Sequence, residues 1–153
     1  MHLLEDLGIS DVTYSFINLK TDEEKKVIAN QVRISLEKDI ETIIESLLDK
    51  EGKRNDKRTL EHYNSFYGKD MKLLSFRVLD ELLIKEQKTS RISDFTKILT
   101  KDIFLKSVLM CATECIFFIG NVRLLQANDI LDVINLKAFD FWRILNSFLK
   151  FDP

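Results

Sequence analysis

The sequence predicts an all-α fold, and three observations carry that expectation. Helix breakers are almost absent from its 153 residues: the single proline is Pro153, and the four glycines stand apart at Gly8, Gly52, Gly68 and Gly120. Apolar residues recur at spacings of three and four over long stretches, which lines them up along one side of a helix. No stretch alternates apolar and polar residues with period two, so no sheet is expected.

The elements follow in order. Residues 3–7 and 11–19 form two short helices separated by Gly8, with Ser10 or Asp11 as cap. Thr21-Asp22-Glu23-Glu24 is a capping box, in which Thr21 and Glu24 each satisfy a free backbone N–H. Ile28, Val32, Leu36, Ile40, Ile43, Ile44 and Leu47 then mark one face of a long helix that stops near Asp49–Gly52. Residues 50–58 are charged and form an exposed loop, and 59–66 a short helix. Gly68 is the breaker before the next long helix, marked by Met71, Leu74, Val78, Leu79, Leu82 and Leu83 and ending near Lys88. Ser93 caps a short helix through Leu99, and Thr100 caps a helix over 101–119. That helix is apolar almost all round, which places it at the centre of the core. Gly120 and Asn121 end it, Asn128 caps a helix over 129–134, and the last helix covers 137–150.

Length and apolar content suit one ordinary domain with a real core. The net charge of −2 argues against direct nucleic-acid binding. The most apolar stretch, Val108 to Val122, is too short to span a bilayer and contains Glu114, so no membrane segment is expected. Glu5 and Asp6 stand where a secretory signal needs basic residues. Cys111 and Cys115, four apart on one helix, form no disulfide framework and fit a reducing compartment.

Motifs for chemistry are missing. Around Gly68-Lys69 a phosphate loop needs Gly at 63 and Ser or Thr at 70, where the chain has Tyr63 and Asp70. Cys111 and Cys115 supply two zinc ligands where four are needed, with His2 and His62 the only histidines, so both cysteines are read as core packing. Thr59 stands three before His62, where a di-iron bundle needs Glu. Glu37, Glu41, Glu45 and Asp49 form an acidic stripe, read as a solvated face or a docking edge for a basic partner. Lys53, Arg54, Lys57 and Arg58 form a basic loop without interleaved aromatics, read as solvated. Phe117, Phe118, Phe139, Phe141 and Phe148 are expected in the core, and Phe151 as an exposed anchor. No catalytic residues, metal site or cofactor are expected.

The final helix carries the most specific text. Asn135-Leu136-Lys137-Ala138-Phe139-Asp140-Phe141, continuing through Trp142-Arg143-Ile144-Leu145 and Ser147-Phe148-Leu149-Lys150, resembles a signature segment of the retinoblastoma (pocket) protein family, with Trp142 where Tyr is usual. Asp102-Ile103-Phe104 with Ser107, Cys111-Ala112 and Glu114 resembles the same family's core helix, and Cys115 falls where that family has an aliphatic residue. Phe76-Arg77-Val78 and Phe95-Thr96-Lys97-Ile98-Leu99 fit without gaps. The likeness is good over 69–150 and only pattern-like over 1–50. It implies one domain over 1–153: an A-box of the pocket, with a cyclin-like helical bundle.

That resemblance implies a non-catalytic, nuclear interaction module of a transcriptional co-repressor and cell-cycle regulator. In the family an A and a B fold pack together, and their seam holds an acidic, apolar transactivation segment of E-two-F/DP-type transcription factors. The B half holds the groove for LxCxE peptides. The chain stops at Pro153, short of a complete A fold, so an apolar patch near Phe148 and Phe151 is expected, covered by a B-box half or a second copy packing on the C-terminal helix. Tyr67 stands where the family has an arginine that pairs with the acidic ligand, while Lys69 matches a family lysine. Lys69, Lys72 and Arg77 are therefore the candidate partner-binding residues. The chain contains no Ser-Pro or Thr-Pro, so no proline-directed phosphorylation switch is expected within it. The alternative is a cyclin-like regulatory subunit of a kinase or of the basal transcription machinery, which raised kinase activity in its presence would distinguish.

Overall fold

The structure, a computed structural model, describes residues 10–17, 21–53, 56–90 and 95–149, without the side chains of 11–12, 89–90 and 147–149. Among these residues every regular element is helical: α1 (Asp11–Ser15), α2 (Asp22–Lys50), α3 (Lys57–Tyr63), a π-helical turn (Asn64–Gly68), α4 (Lys69–Ser90), α5 (Thr96–Leu99), α6 (Asp102–Ile119), α7 (Ala127–Val133) and α8 (Ala138–Leu149). The expected helix over 3–7, the end of the second at 18–19, the Ser93 cap and the patch at Phe148 and Phe151 lie outside the described residues.

Helix α2 starts on the expected capping box: Thr21 Oγ1 accepts from the Glu24 N–H, and the Glu24 carboxylate accepts from the Thr21 N–H. Its far end, and those of α6 and α7, close in one way. A residue just past the helix takes positive φ: Gly52 at 71°, Asn121 at 55° and Asn135 at 57°. The next N–H then folds back onto the helix: Lys53 to Leu48, Val122 to Phe117 and Leu136 to Leu131, each 2.8 Å from N to O. Gly and Asn are the residues that tolerate this left-handed turn, which satisfies carbonyls the helix end leaves orphaned.

Helix α6 is the central element, as its composition predicts. Phe104, Leu105, Val108, Leu109, Met110, Ala112 and Phe117 are buried, and it packs against α2, α4, α5, α7 and α8. The α2 face from Ile28 to Leu48 and the α4 residues Met71, Leu79 and Leu83 complete the core. Helix α1 is docked from a distance. The Ser10 hydroxyl donates to Asp80 Oδ1 at 2.6 Å, and buried Thr13 donates to the same oxygen. The Phe95 N–H donates to the Phe16 carbonyl at 2.9 Å, and the two rings meet edge to face with centroids 5.1 Å apart.

Five expectations are corrected. Gly68 does not break the chain: residues 57–90 form one helical run, with the π-helical turn inside it. Thr100 does not cap α6. Its hydroxyl bonds back to the Thr96 and Lys97 carbonyls, and the N-cap of α6 is Lys101, which makes no side-chain cap bond. Asn128 does not cap α7, because Gln126 and Asp129 form a capping box that starts the helix two residues earlier. Phe118 and Phe139 are not core residues; they are 87% and 75% exposed. Cys115 is exposed rather than packed, while Cys111 is half-buried and burial, with neighbouring Cys115 and Glu114, pushes its thiol up to about 11.

Candidate functional site

The candidate residues lie along the run from α3 into α4. Asp56 starts that run, accepting from the Arg58 and Thr59 N–H groups and from the Thr59 hydroxyl. Those bonds, the hydroxyl's first, hold the Asp56 carboxyl below its ordinary range. The π-helical turn follows and ends at Gly68, which lies against α2. A Cβ there would stand 3.0 Å from Ile44 Cδ1 and 3.6 Å from Ile40 Cγ2, so the missing side chain lets α2 approach the run closely. A wider turn that keeps helical direction also re-aims the side chains on either side of it.

On the α2 side of this crossing lies a hollow of about 330 Å³, lined by Glu37, Ile40, Glu41, Asn64, Gly68, Lys69 and Lys72. Lys72 spans it: its ammonium stands 2.5 Å from Glu37 Oε2. Glu37 is also held by Arg33 at 2.7 Å, one turn away on α2. The head of the acidic stripe is therefore engaged within the fold, while Glu41 and Glu45 remain on the exposed face.

The outward side is different. Lys69, Leu73 and Arg77, four apart, form one row, and all three are exposed. Leu73 is 60% exposed and Phe66, three residues before Lys69, is 57% exposed. Among the described residues neither Lys69 nor Arg77 holds an ion pair. Tyr67 turns inward from this row, its ring edge-to-face with Tyr63 at 5.3 Å and Phe117 at 6.0 Å. Tyr63 anchors the same cluster by donating to Glu51 Oε2 at 2.5 Å, and burial followed by that carboxylate pushes its hydroxyl up to about 12. The position expected to miss an arginine is thus a packing position here.

Lys69 and Lys72 share the hollow, and Lys69 and Arg77 share the outer row, but the three do not converge. The charge of Lys72 is already answered by Glu37, which leaves Lys69 and Arg77 as the cations open to a partner. Sequence reasoning passed over Phe66 and Leu73. The available signal was spacing: Leu73 falls four from each of two charged residues and off the apolar row of Met71, Val78 and Leu82. Among the described residues no three His, Cys, Asp or Glu side chains gather as a metal site, and no helix is long and apolar enough to cross a membrane.

A comparison with protein families agrees with this architecture. Residues 14–153 match the family model described as the retinoblastoma-associated protein A domain. That match covers most of the chain, and the all-helical bundle around α6 is the cyclin-like fold expected of it. The chain therefore belongs to the retinoblastoma-associated protein A-domain family.

Proposed function

We propose that this chain is a single non-catalytic interaction domain of a nuclear, retinoblastoma-like co-repressor, and that it forms half of a seam for an acidic, apolar transactivation segment. The observation that carries this reading is Leu73, a large apolar side chain 60% exposed between two exposed cations at spacing four. An acidic segment with apolar residues at helical spacing matches such a row. Its leucines or phenylalanines cover Leu73, and its carboxylates face Lys69 and Arg77. Burial of the apolar side chains supplies affinity, and the charges set register and speed encounter. Lys72 contributes by positioning Glu37 and the α2 side of the hollow.

A partner fold is part of the proposal. Phe118 and Ile119 at the end of α6, and Phe139 and Trp142 at the start of α8, are exposed aromatic and aliphatic side chains of the kind a B half or a second copy covers. The test is titration of an E-two-F-type transactivation peptide into the chain, alone and with a B half, followed by isothermal calorimetry. The double variant Lys69→Glu/Arg77→Glu is expected to weaken binding more than tenfold with an unchanged circular dichroism spectrum. Absence of binding in both arrangements overturns the reading.

A further inference from the structure

The exposed row of α4 does not begin at Lys69. It continues backwards through Phe66 in the π-helical turn to His62 and Arg58 on α3; the three follow one another at spacing four and are all exposed. The His62 and Phe66 rings stack, with centroids 5.7 Å apart and planes within 18°. Phe66 in turn meets Tyr67 edge-on at 5.0 Å, which ties the outer stack to the buried cluster. A phenylalanine held in place yet more than half open to water is a preformed apolar platform.

The charges around that platform have one prevailing sign. Between residues 57 and 77 the exposed cations are Lys57, Arg58, Lys69 and Arg77, against the exposed carboxylates Glu61 and Asp70. Among the described residues no ion pair engages these four cations. From Arg58 to Arg77 the row extends about 28 Å, from the usual rise of a helix. That is several turns longer than the Lys69–Arg77 portion.

We propose that the α3 portion is a second anchor for the partner of the seam, which rests on the reading above. The His62–Phe66 stack takes an aromatic or large aliphatic side chain of the acidic segment, and Arg58 faces a carboxylate beside it. The ligand is therefore an acidic amphipathic segment of about 20 residues if helical, rather than a single short motif. Stacked rings beside cations also suit single-stranded nucleic acid. The net charge of −2 and the flanking Glu61 and Asp70 favour the acidic peptide's apolar contacts over a polyphosphate backbone.

The probes are a 20-residue synthetic peptide repeating Glu with Leu and Phe at spacings of three and four, about the length of the row, and a 10-residue piece of it. Each is labelled and followed by fluorescence anisotropy with the full chain. The long peptide is expected to bind about tenfold more tightly than the short one, a gain of the size that a second anchor gives. His62→Ala, and separately Arg58→Glu, should remove that gain while leaving the short peptide's affinity unchanged. Equal affinities for the two lengths, or equal losses for both in His62→Ala, overturn the second anchor while Lys69-dependent binding of the short peptide preserves the seam. Loss of both peptides' binding in wild type overturns both. Tighter binding of a labelled single-stranded oligonucleotide that depends on His62 and Phe66 also overturns the assignment.

Discussion

Met71, Ser75 and Leu79 run along one side of α4, and Lys69, Leu73 and Arg77 along another, at spacing four in both rows. The first three are fully buried, and the second three are exposed. Hydropathy alone does not sort them, because a serine lies inside and a leucine outside. Neighbours do. The inner row lies against the core built around α6 and α2, which accepts whatever side chain the register delivers. The outer row has no element over it among the described residues. An exposed leucine in one row and a buried hydroxyl in the other mark where stability and recognition divide within one helix.

Four substitutions break or sharpen that division. Leu79→Ala empties a fully buried position and is expected to cost about 2–5 kcal/mol in a urea or guanidinium melt. Gly68→Val forces a side chain into the crossing with Ile44 and Ile40, and a loss of roughly 1–3 kcal/mol is expected. Ser75→Ala acts in the opposite direction. The Ser75 hydroxyl is buried without a partner among the described residues, and alanine favours helix, so a gain of up to about 1 kcal/mol is expected. A loss there would mean that the hydroxyl has an answering group. Leu73→Ala is expected to leave stability within about 0.5 kcal/mol while weakening peptide binding, because its side chain is largely in water already. A large stability loss in Leu73→Ala would erase the distinction between the rows.

Much of the fold was legible in the sequence because the signals were local. The Thr21–Glu24 box, the positive-φ turns at Gly52 and Asn121 and the apolar row of α2 each need only a few residues of context. The misses were of two physical kinds. Some were local competitions with another solution close by: Gln126 with Asp129 caps α7 where Asn128 was the better propensity choice, and the Thr100 hydroxyl preferred the carbonyls behind it. Others depended on what is absent around a residue. Phe118, Phe139 and Cys115 sit on apolar helices, and only the positions of other helices decide which of their faces stays open. For the site, the family resemblance suggested Lys69, Lys72 and Arg77. Nothing local showed that Lys72 would be matched by Glu37, which lies 35 residues earlier.

The attachment of α1 sets an order of assembly. Ser10 and Thr13 reach Asp80 across 70 and 67 residues of chain. A helix of five residues has too few internal bonds to persist alone. It therefore gains its shape only after α4 and the Phe95 segment are in place, since closing so long a loop earns nothing before its partners exist. In pulsed hydrogen exchange the α1 amides should be protected last during refolding, and in the native protein they should exchange ahead of those in α6. Helix α1 is thus expected to act as a latch that reports, from well before α4 in the sequence, whether the bundle beneath it has closed.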